Sequence, residues 1–170
     1  MKKILLLLLV AMSVSLSGFA QKGRQAVGVD VPLRLNGNAS LCIGVKYQYN
    51  ISNFVCLEPI LQGLGDMITE DGDITCIAML NSKFFFFAPN RFRPYGLIGL
   101  GFCVGKYEEY DDSGDYVGRE DYEGPIAQIG IGMDYRLNYD WSWQLETGYQ
   151  FILDGEMNGP FISTGITYNF

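Results

Sequence analysis

Apolar and polar residues alternate one by one through most of this 170-residue sequence, and this alternation constrains the fold more than any other feature. In an extended strand successive side chains point to opposite faces, so a period of two predicts a strand with one apolar and one polar face. Five segments follow the pattern closely: 27–35, 41–49, 127–137, 141–151 and 162–170. Three more follow it less regularly: 54–62, 74–85 and 95–105. The facing of 74–85 stays open, because large apolar residues occupy both of its faces.

The polar face of the eight predicted strands is rich in Gly, Ser, Thr and Gln, which suits the narrow interior of an eight-stranded barrel. A soluble sandwich or a lipocalin-like barrel, with its apolar face inward, is the alternative. Aromatic residues near the strand ends favour a barrel that meets a bilayer, since aromatic side chains collect at both membrane interfaces. One predicted girdle contains Tyr47, Tyr49, Tyr95, Tyr135, Trp141 and Tyr168, and the other contains Phe102, Tyr149 and Phe151. The predicted fold is therefore all-β, an eight-stranded antiparallel up-and-down transmembrane β-barrel.

The first 20 residues have the three parts of a secretory signal peptide. Lys2 and Lys3 are basic, residues 4–16 are almost all apolar, and small residues precede the predicted cleavage between Ala20 and Gln21. The apolar run is shorter than the roughly 20 residues that a membrane-spanning helix needs. We therefore expect residues 1–20 to be removed and residues 21–170 to form the barrel domain in the outer membrane of a Gram-negative bacterium.

The connections between predicted strands alternate in length, as short periplasmic turns and long surface loops do in outer-membrane barrels. The predicted inner turns are 50–53, 88–92 and 138–140. The predicted outer connections are 36–39, 64–73, 106–124 and 153–159. These outer connections hold 14 of the 19 acidic residues, with Lys106 and Arg119 as their only bases.

Charged residues on the polar faces point to a second feature, a network of ion pairs inside the barrel. The candidate lumen network contains Asp30, Arg34, Lys46, Glu58, Lys83, Asp134, Arg136 and Glu146. Four acids meet four bases, while Lys22, Arg24, Arg91 and Arg93 are expected at the inner rim and N-terminal segment with Asp140. Because an unpaired charge in a narrow lumen of low dielectric is costly, this balance predicts a plugged barrel. A path for ions or small solutes lined by the same residues is the alternative.

Composition excludes several classes of function. Without the leader, 10 Lys and Arg face 19 Asp and Glu, a net charge of −9 that argues against nucleic acid as a partner. The chain contains no His, so the Ser-His-Asp and Cys-His catalytic arrangements and His-ligated metals are excluded. No phosphate-binding loop sequence is present either. We expect no enzyme activity, no cofactor and no metal site.

Several sequence elements together resemble a known family: the signal peptide, the eight amphipathic strands, the Arg93-Pro94-Tyr95-Gly96 opening of a Gly-rich strand, and the closing strand. The chain resembles the small outer-membrane β-barrels common in Bacteroidetes, which are related in architecture to outer membrane protein X and to the barrel domain of outer membrane protein A. The resemblance implies outer-membrane lipid as the surroundings of the barrel. Alternating Ile166, Tyr168 and Phe170 resemble the family's signal for the barrel-assembly machinery, which makes that machinery an expected partner.

The segment 106–124 is the most unusual part of the chain, because it combines eight acidic residues with four tyrosines. A turn at 112–115 would close a hairpin that extends the flanking strands above the membrane. Such a hairpin can bind a surface protein or host ligand through tyrosine side chains or a free strand edge. The candidate interaction residues are Glu108, Glu109, Tyr110, Asp111, Asp112, Asp115, Tyr116 and Tyr122. A solvated acidic loop that binds divalent cations loosely is the other interpretation, although its spacing does not match an EF-hand.

The four cysteines have no metal-binding or redox spacing. If strands 74–85 and 95–105 form a hairpin, residues whose numbers sum to about 180 lie opposite one another, so Cys76 and Cys103 are candidate neighbours for a disulfide.

The functional prediction is a plugged outer-membrane barrel with a structural or adhesion role. The alternative is a narrow, porin-like channel for small solutes.

Overall fold

The computed structural model describes residues 24–36, 38–65, 74–87, 91–110, 116–152 and 158–170. These residues form eight strands: β1 (Gln25–Asn36), β2 (Asn38–Asn50), β3 (Val55–Gly65), β4 (Ile74–Phe85), β5 (Phe92–Tyr110), β6 (Tyr116–Arg136), β7 (Trp141–Ile152) and β8 (Gly159–Asn169). The predicted signal peptide lies outside the described residues. Among the residues that are described, no helix is long and apolar enough to cross a membrane.

Each strand pairs antiparallel with the next one in sequence, and β8 pairs with β1 to close the barrel. This is the predicted up-and-down topology, and it is confirmed. We call the end of the barrel at which β1 begins and β8 ends the turn end. We call the opposite end, beyond which β5 and β6 continue, the hairpin end.

The barrel is inside out relative to a soluble protein, because its apolar side chains cover the outer surface and its polar side chains fill the lumen. Leu61 and Leu100 are each 67% exposed, whereas Glu58 and Lys83 are completely buried. The structure also settles the facing of β4: Lys83 points into the lumen, and the alternate residues Ala78 and Leu80 point outward. A surrounding apolar phase is the environment in which this arrangement is stable.

The prediction is wrong for one member of the aromatic girdles. Tyr95 is fully buried in the lumen rather than placed at the membrane interface. It has the same parity along β5 as Leu97 and Gly99, which also face the lumen. The outward residues of β5 are the even-numbered ones, such as Ile98 and Leu100.

The suggested pairing of Cys76 with Cys103 is also wrong. The register of β4 with β5 places Cys103 opposite Ile77 and Cys76 opposite Val104. Cys76 is exposed on the outer surface whereas Cys103 is buried in the lumen, and both are free thiols. Residues that lie directly opposite each other in β4 and β5 have numbers that sum to 180, whereas 76 and 103 sum to 179. A difference of one residue puts a side chain on the other face of a strand, so the two thiols lie on opposite faces of the barrel wall.

The segment 106–124, expected to be a loop, belongs mostly to strands. β5 and β6 remain paired from Lys106 opposite Asp121 to Tyr110 opposite Tyr116, with a register shift between Glu109 and Tyr110. The predicted turn at 112–115 lies outside the described residues. The hairpin that the sequence suggested is therefore a two-stranded ribbon that continues β5 and β6 beyond the barrel.

Glycine permits the backbones of β6 and β7 to approach each other closely in the barrel wall. Gly130 on β6 lies opposite Gly148 on β7. A Cβ atom at Gly130 would lie 2.5 Å from the carbonyl oxygen of Thr147, and one at Gly148 would collide with the carbonyl oxygen of Ile129. A backbone atom cannot move aside without shifting its strand, so side chains are excluded at both positions.

We therefore predict that Gly148→Ala destabilises the barrel by about 1–3 kcal/mol, because the added methyl group forces β6 and β7 apart. The matched control is Gly63→Ala, since a Cβ atom at Gly63 meets no atom within 4 Å. Urea unfolding of the two refolded variants in lipid vesicles measures the difference. Equal stability of the variants would contradict the close-approach explanation.

Candidate functional site

The lumen contains a network of charged and polar side chains that meet because they share the interior parity of their strands. Glu58 on β3 lies at its centre. Its Oε2 atom accepts hydrogen bonds from Gln48 Nε2 at 2.5 Å and from Lys83 Nζ at 2.6 Å, and its Oε1 atom accepts one from Asn81 Nδ2 at 3.2 Å. Lys46 Nζ lies 4.0 Å from the same Oε2 atom. A buried carboxylate is stable only with such a set of donors.

Lys83 joins two carboxylates across the lumen. Its Nζ atom donates to Glu58 Oε2 and to Glu146 Oε1, each at 2.6 Å, and lies 3.3 Å from Gln144 Oε1. The same ammonium group lies 4.8 Å from the centre of the Tyr95 ring. β3, β4 and β7 are thereby connected through the interior as well as through the wall.

Tyr95 completes this group from β5. Its hydroxyl donates a hydrogen bond to Glu146 Oε1 at 2.6 Å. Its ring makes an edge contact with Phe85, with 5.3 Å between the ring centres. The side chain that the sequence placed at the membrane interface is thus a structural part of the lumen.

A second ion pair contains a residue that sequence reasoning placed at the inner rim. Arg93 is buried, and its Nη2 atom donates to Asp134 Oδ2 at 2.7 Å. Its guanidinium group also lies 4.4 Å from the centre of the Phe85 ring. Gln144 Nε2 lies 3.4 Å from Asp134 Oδ2, which links this pair to Lys83. The expected equality of four acids and four bases is therefore wrong, since Arg93 adds a fifth base.

The remaining candidate lumen residues are Asp30, Arg34 and Arg136. Asp30 on β1 accepts hydrogen bonds from Ser163 Oγ at 3.1 Å and from Gln62 Nε2 at 3.4 Å. Arg34 is buried on the interior face of β1, nearer the hairpin end. Arg136 is half-buried where β6 ends, at the turn end. We call the following connected residues the lumen network: Lys46, Glu58, Lys83, Arg93, Tyr95, Asp134, Gln144 and Glu146.

Toward the hairpin end, beyond the lumen network, the interior holds a cluster of apolar side chains, with the buried Arg34 and Gln62 near it. This apolar layer consists of Cys42, Ile60, Ile77, Met79, Cys103, Ile126 and Ile152. On each of the six strands that contribute to both, the apolar residue lies nearer the hairpin end than the network residue, as Ile77 does relative to Lys83 on β4. The sequence analysis missed this layer. The alternation along β6 puts Ile126 on the same face as Gln128 and Asp134, and this would have identified one member of the layer.

The two layers oppose the passage of solutes by different physical means. The lumen network fills the cross-section with side chains that hold one another through hydrogen bonds and ion pairs. The side chains of the apolar layer themselves offer no polar partner to water, and apolar constrictions oppose the entry of water into a pore. An ion that enters from either end meets a barrier of one kind and then of the other.

The candidate assembly residues lie at the turn end of β8. Ile166 and Tyr168 face outward, and the ring of Tyr168 makes an edge contact with Trp141, with 5.1 Å between the ring centres. Phe170 is 61% exposed, and its backbone N–H donates to the carbonyl oxygen of Gln25 at 2.9 Å. These residues therefore close the barrel and present apolar side chains outward.

The candidate surface residues divide between the ribbon and the part of the chain that is not described. The backbones of Glu108, Glu109 and Tyr110 lie in β5, and those of Tyr116 and Tyr122 lie in β6. Asp111, Asp112 and Asp115 lie outside the described residues. The described part of the chain contains no group of three or more His, Cys, Asp or Glu residues that is arranged to hold a metal ion.

Comparison with protein families gives one assignment. Residues 5–170 match the model of the outer membrane protein β-barrel domain. Among curated proteins, none has significant sequence similarity to the chain.

Solved structures give the same fold at low sequence identity. The N-terminal β-barrel domain of OprF from Pseudomonas aeruginosa has a TM-score of 0.67 and 15% identity, over 88% of this chain and 98% of that one. Neisserial surface protein A has a TM-score of 0.65 and 9% identity, over 86% of this chain and 96% of that one. Ail, the attachment invasion locus protein of Yersinia pestis, has a TM-score of 0.58 and 14% identity, over 88% and 99%. Ail has also been solved in complex with the heparin analogue sucrose octasulfate.

We predict that Lys83→Met destabilises the barrel by about 3–5 kcal/mol, because it leaves two buried carboxylates without their shared cation. The triple variant K83M/E58Q/E146Q removes those charges together and is expected to regain much of the lost stability. Urea unfolding in lipid vesicles measures both changes. A single variant as stable as the triple variant would contradict the central role of the ion pairs.

Proposed function

The chain belongs to the outer membrane protein β-barrel domain family, and we propose that it acts there as a closed barrel with a structural or adhesion role. The observation that carries the closed state is the stacking of two barriers in one lumen. The lumen network contains ion pairs with N–O distances of 2.6 to 2.7 Å, and the apolar layer follows it toward the hairpin end. Eight strands enclose a space that side chains alone can fill.

The proposed adhesion surface is the ribbon formed by the ends of β5 and β6. Short turns face the periplasm and long hairpins face outward in barrels of this class, so the hairpin end is the outer end in this proposal. The fold shared with Ail, an attachment protein by name, supports a surface role. Ail binds a sulfated sugar analogue, whereas the outer connections here are strongly acidic, so a polyanion is a poor partner for this chain.

We also propose how the protein is exported, assembled and surrounded by lipid. A signal peptide cleaved near Ala20 would direct export, and Phe170 with its alternating neighbours would be read by the barrel-assembly machinery. Lipid of the outer membrane would then cover the outward apolar surface. The narrower relationship to outer membrane proteins X and A remains a prediction.

A narrow channel for small solutes is the second candidate, and one observation favours it. Besides Asp134 Oδ1 on β6, three buried oxygens, Asp30 Oδ1, Gln62 Oε1 and Thr167 Oγ1, have no hydrogen-bond partner among the described residues. They belong to β1, β3 and β8, and Gln62 and Asp30 are hydrogen-bonded to each other through other atoms. Water molecules along this side of the lumen would satisfy them and would provide a hydrated path.

We predict that the refolded protein is silent in a planar bilayer, because either barrier alone prevents conduction. The variants K83M/E58Q/E146Q and I77S/I126S each weaken one barrier and are expected to stay silent. The combination of all five substitutions is expected to conduct, once heat-modifiable gel migration has verified that it folds. Discrete openings of the unmodified protein would establish the channel and reject the closed barrel.

Adhesion is tested by replacing residues 108–123 with a short turn. We expect cells that display this variant to lose binding to partner cells, because the ribbon is the proposed contact surface. The control shortens the connection 66–73 and leaves the ribbon intact. If the ribbon-less barrel binds as strongly as the unmodified one, the adhesion role is wrong.

A further inference from the structure

The mouth of the lumen at the turn end brings three arginines together. Arg93 lies opposite Asp134 in the register of β5 with β6, and Arg136 lies two residues further along β6 on the same face. Arg93 and Arg136 are therefore diagonal neighbours, a spacing that long side chains can bridge. Arg24 precedes β1 with the same parity as the inward Ala26. The positive charges of Arg93 and Arg24 both repel the guanidinium group of Arg136, which places the three groups near one another.

The carboxylates of the lumen do not balance these three charges. Asp134 accepts a hydrogen bond from Arg93 Nη2 at 2.7 Å, and in the described part of the chain the other two arginines form no ion pair. Glu58 and Glu146, deeper in the lumen, are already held by Lys83. Three guanidinium groups and one carboxylate thus leave two positive charges at this mouth.

The rest of the turn end does not supply the missing negative charge. Asp140 is exposed in the turn before β7 and forms no ion pair with the arginines in the described residues. Two neighbouring stretches of the chain, 1–23 and 88–90, are not described, but their sequences contain no Asp or Glu. The surplus therefore belongs to the chain itself and does not depend on how those stretches fold.

Hydrogen-bond groups around the arginines are buried without a partner among the described residues. They are Arg24 Nη1, Arg93 Nε and Thr167 Oγ1. Arg93 is 7% exposed and Thr167 is completely buried. Thr167 belongs to the row of interior positions that runs from Arg136 through Ser142 to β8. Because a buried donor without an acceptor is costly, these groups indicate an acceptor that the chain does not provide.

We propose that the turn-end mouth of the lumen binds a phosphate group, held by the guanidinium groups of Arg24, Arg93 and Arg136 and by the hydroxyl of Thr167. Guanidinium groups form paired, charge-assisted hydrogen bonds with phosphate oxygens. A phosphate monoester carries about 1.5 to 2 negative charges near pH 7, which matches the surplus of two positive charges. The group belongs either to a small soluble phosphate or to a lipid headgroup at this end of the barrel. The site is independent of the adhesion role proposed for the opposite end.

The test measures phosphate binding by isothermal titration calorimetry to the refolded barrel in dodecyl maltoside, a detergent without phosphate. Inorganic phosphate is the soluble probe, and dihexanoylphosphatidylglycerol is the lipid probe. The variants R136Q and R24Q each remove one guanidinium group from the site. Heat-modifiable gel migration verifies that each variant folds, and either variant alone is sufficient for the test.

The matched control is R91Q, which removes one positive charge from the same end of the barrel but from outside the lumen. The carbonyl oxygen of Arg91 accepts a hydrogen bond from the backbone N–H of Arg136 at 2.8 Å, so the two residues are direct neighbours. The Arg91 side chain is nevertheless exposed, and its guanidinium group lies 5.2 Å from the centre of the Tyr135 ring.

We expect R136Q and R24Q each to weaken phosphate binding about tenfold and R91Q to leave it nearly unchanged, because only the first two lose a group of the site. Binding of inorganic phosphate with this order of variants supports the site and identifies a soluble ligand. Binding of the lipid probe alone with the same order supports the site and identifies a headgroup. An equal loss in R91Q would overturn the proposal, because general attraction by a basic rim would then explain the affinity. Failure of both probes to bind the folded barrel would also overturn it.

Discussion

The ammonium group of Lys83, held between Glu58 and Glu146, is the interaction on which the interior of this barrel depends. Each of the three side chains comes from a different strand, and all three are buried. Buried charges of this kind rarely add net stability over apolar residues of equal volume, but the loss of one partner is costly. Their effect is specificity: the three strands must keep the register in which the charges meet.

The residues around Lys83, Glu58 and Glu146 are explained by the space that these three side chains need in the lumen. Tyr95 occupies a lumen position because its hydroxyl supplies a donor to Glu146. Opposite Tyr95 on β6 stands Gly132, where a Cβ atom would lie 2.7 Å from the tyrosine ring. Large and small residues thus alternate around the lumen so that a narrow barrel holds bulky polar side chains. The outer surface is free of these demands and is mostly apolar.

Much of the fold could be predicted from the sequence, because a period of two directly encodes which face of a strand is polar. The strand 74–85 was predicted with its observed bounds, but its facing required the register with β3 and β5. The alternation of inward and outward side chains along β5, applied consistently, would also have placed Tyr95 and Arg93 in the lumen. Their chemical types, an aromatic residue and a base near a strand end, suggested the membrane interface instead.

Other parts of the site depend on three-dimensional placement that the sequence does not contain. Opposite charges on interior positions could be recognised, but not that Lys83 contacts two carboxylates while Asp30 bonds to Ser163 and Gln62. The apolar layer was missed because its seven members are spread over six strands, with one or two on each. Only closure of the barrel brings them together.

The most direct test of the closed lumen uses the protein's own thiols. Cys42 and Cys103 lie in the apolar layer and Cys56 lies beside Lys83 in the wall, and all three are buried. In a Cys76→Ser variant that removes the exposed thiol, the rate of modification by a small cationic thiosulfonate reagent is measured for the folded barrel in lipid vesicles and after unfolding. A closed lumen predicts modification of the three cysteines only after unfolding. Rapid modification of Cys42 or Cys103 in the folded barrel would contradict the account.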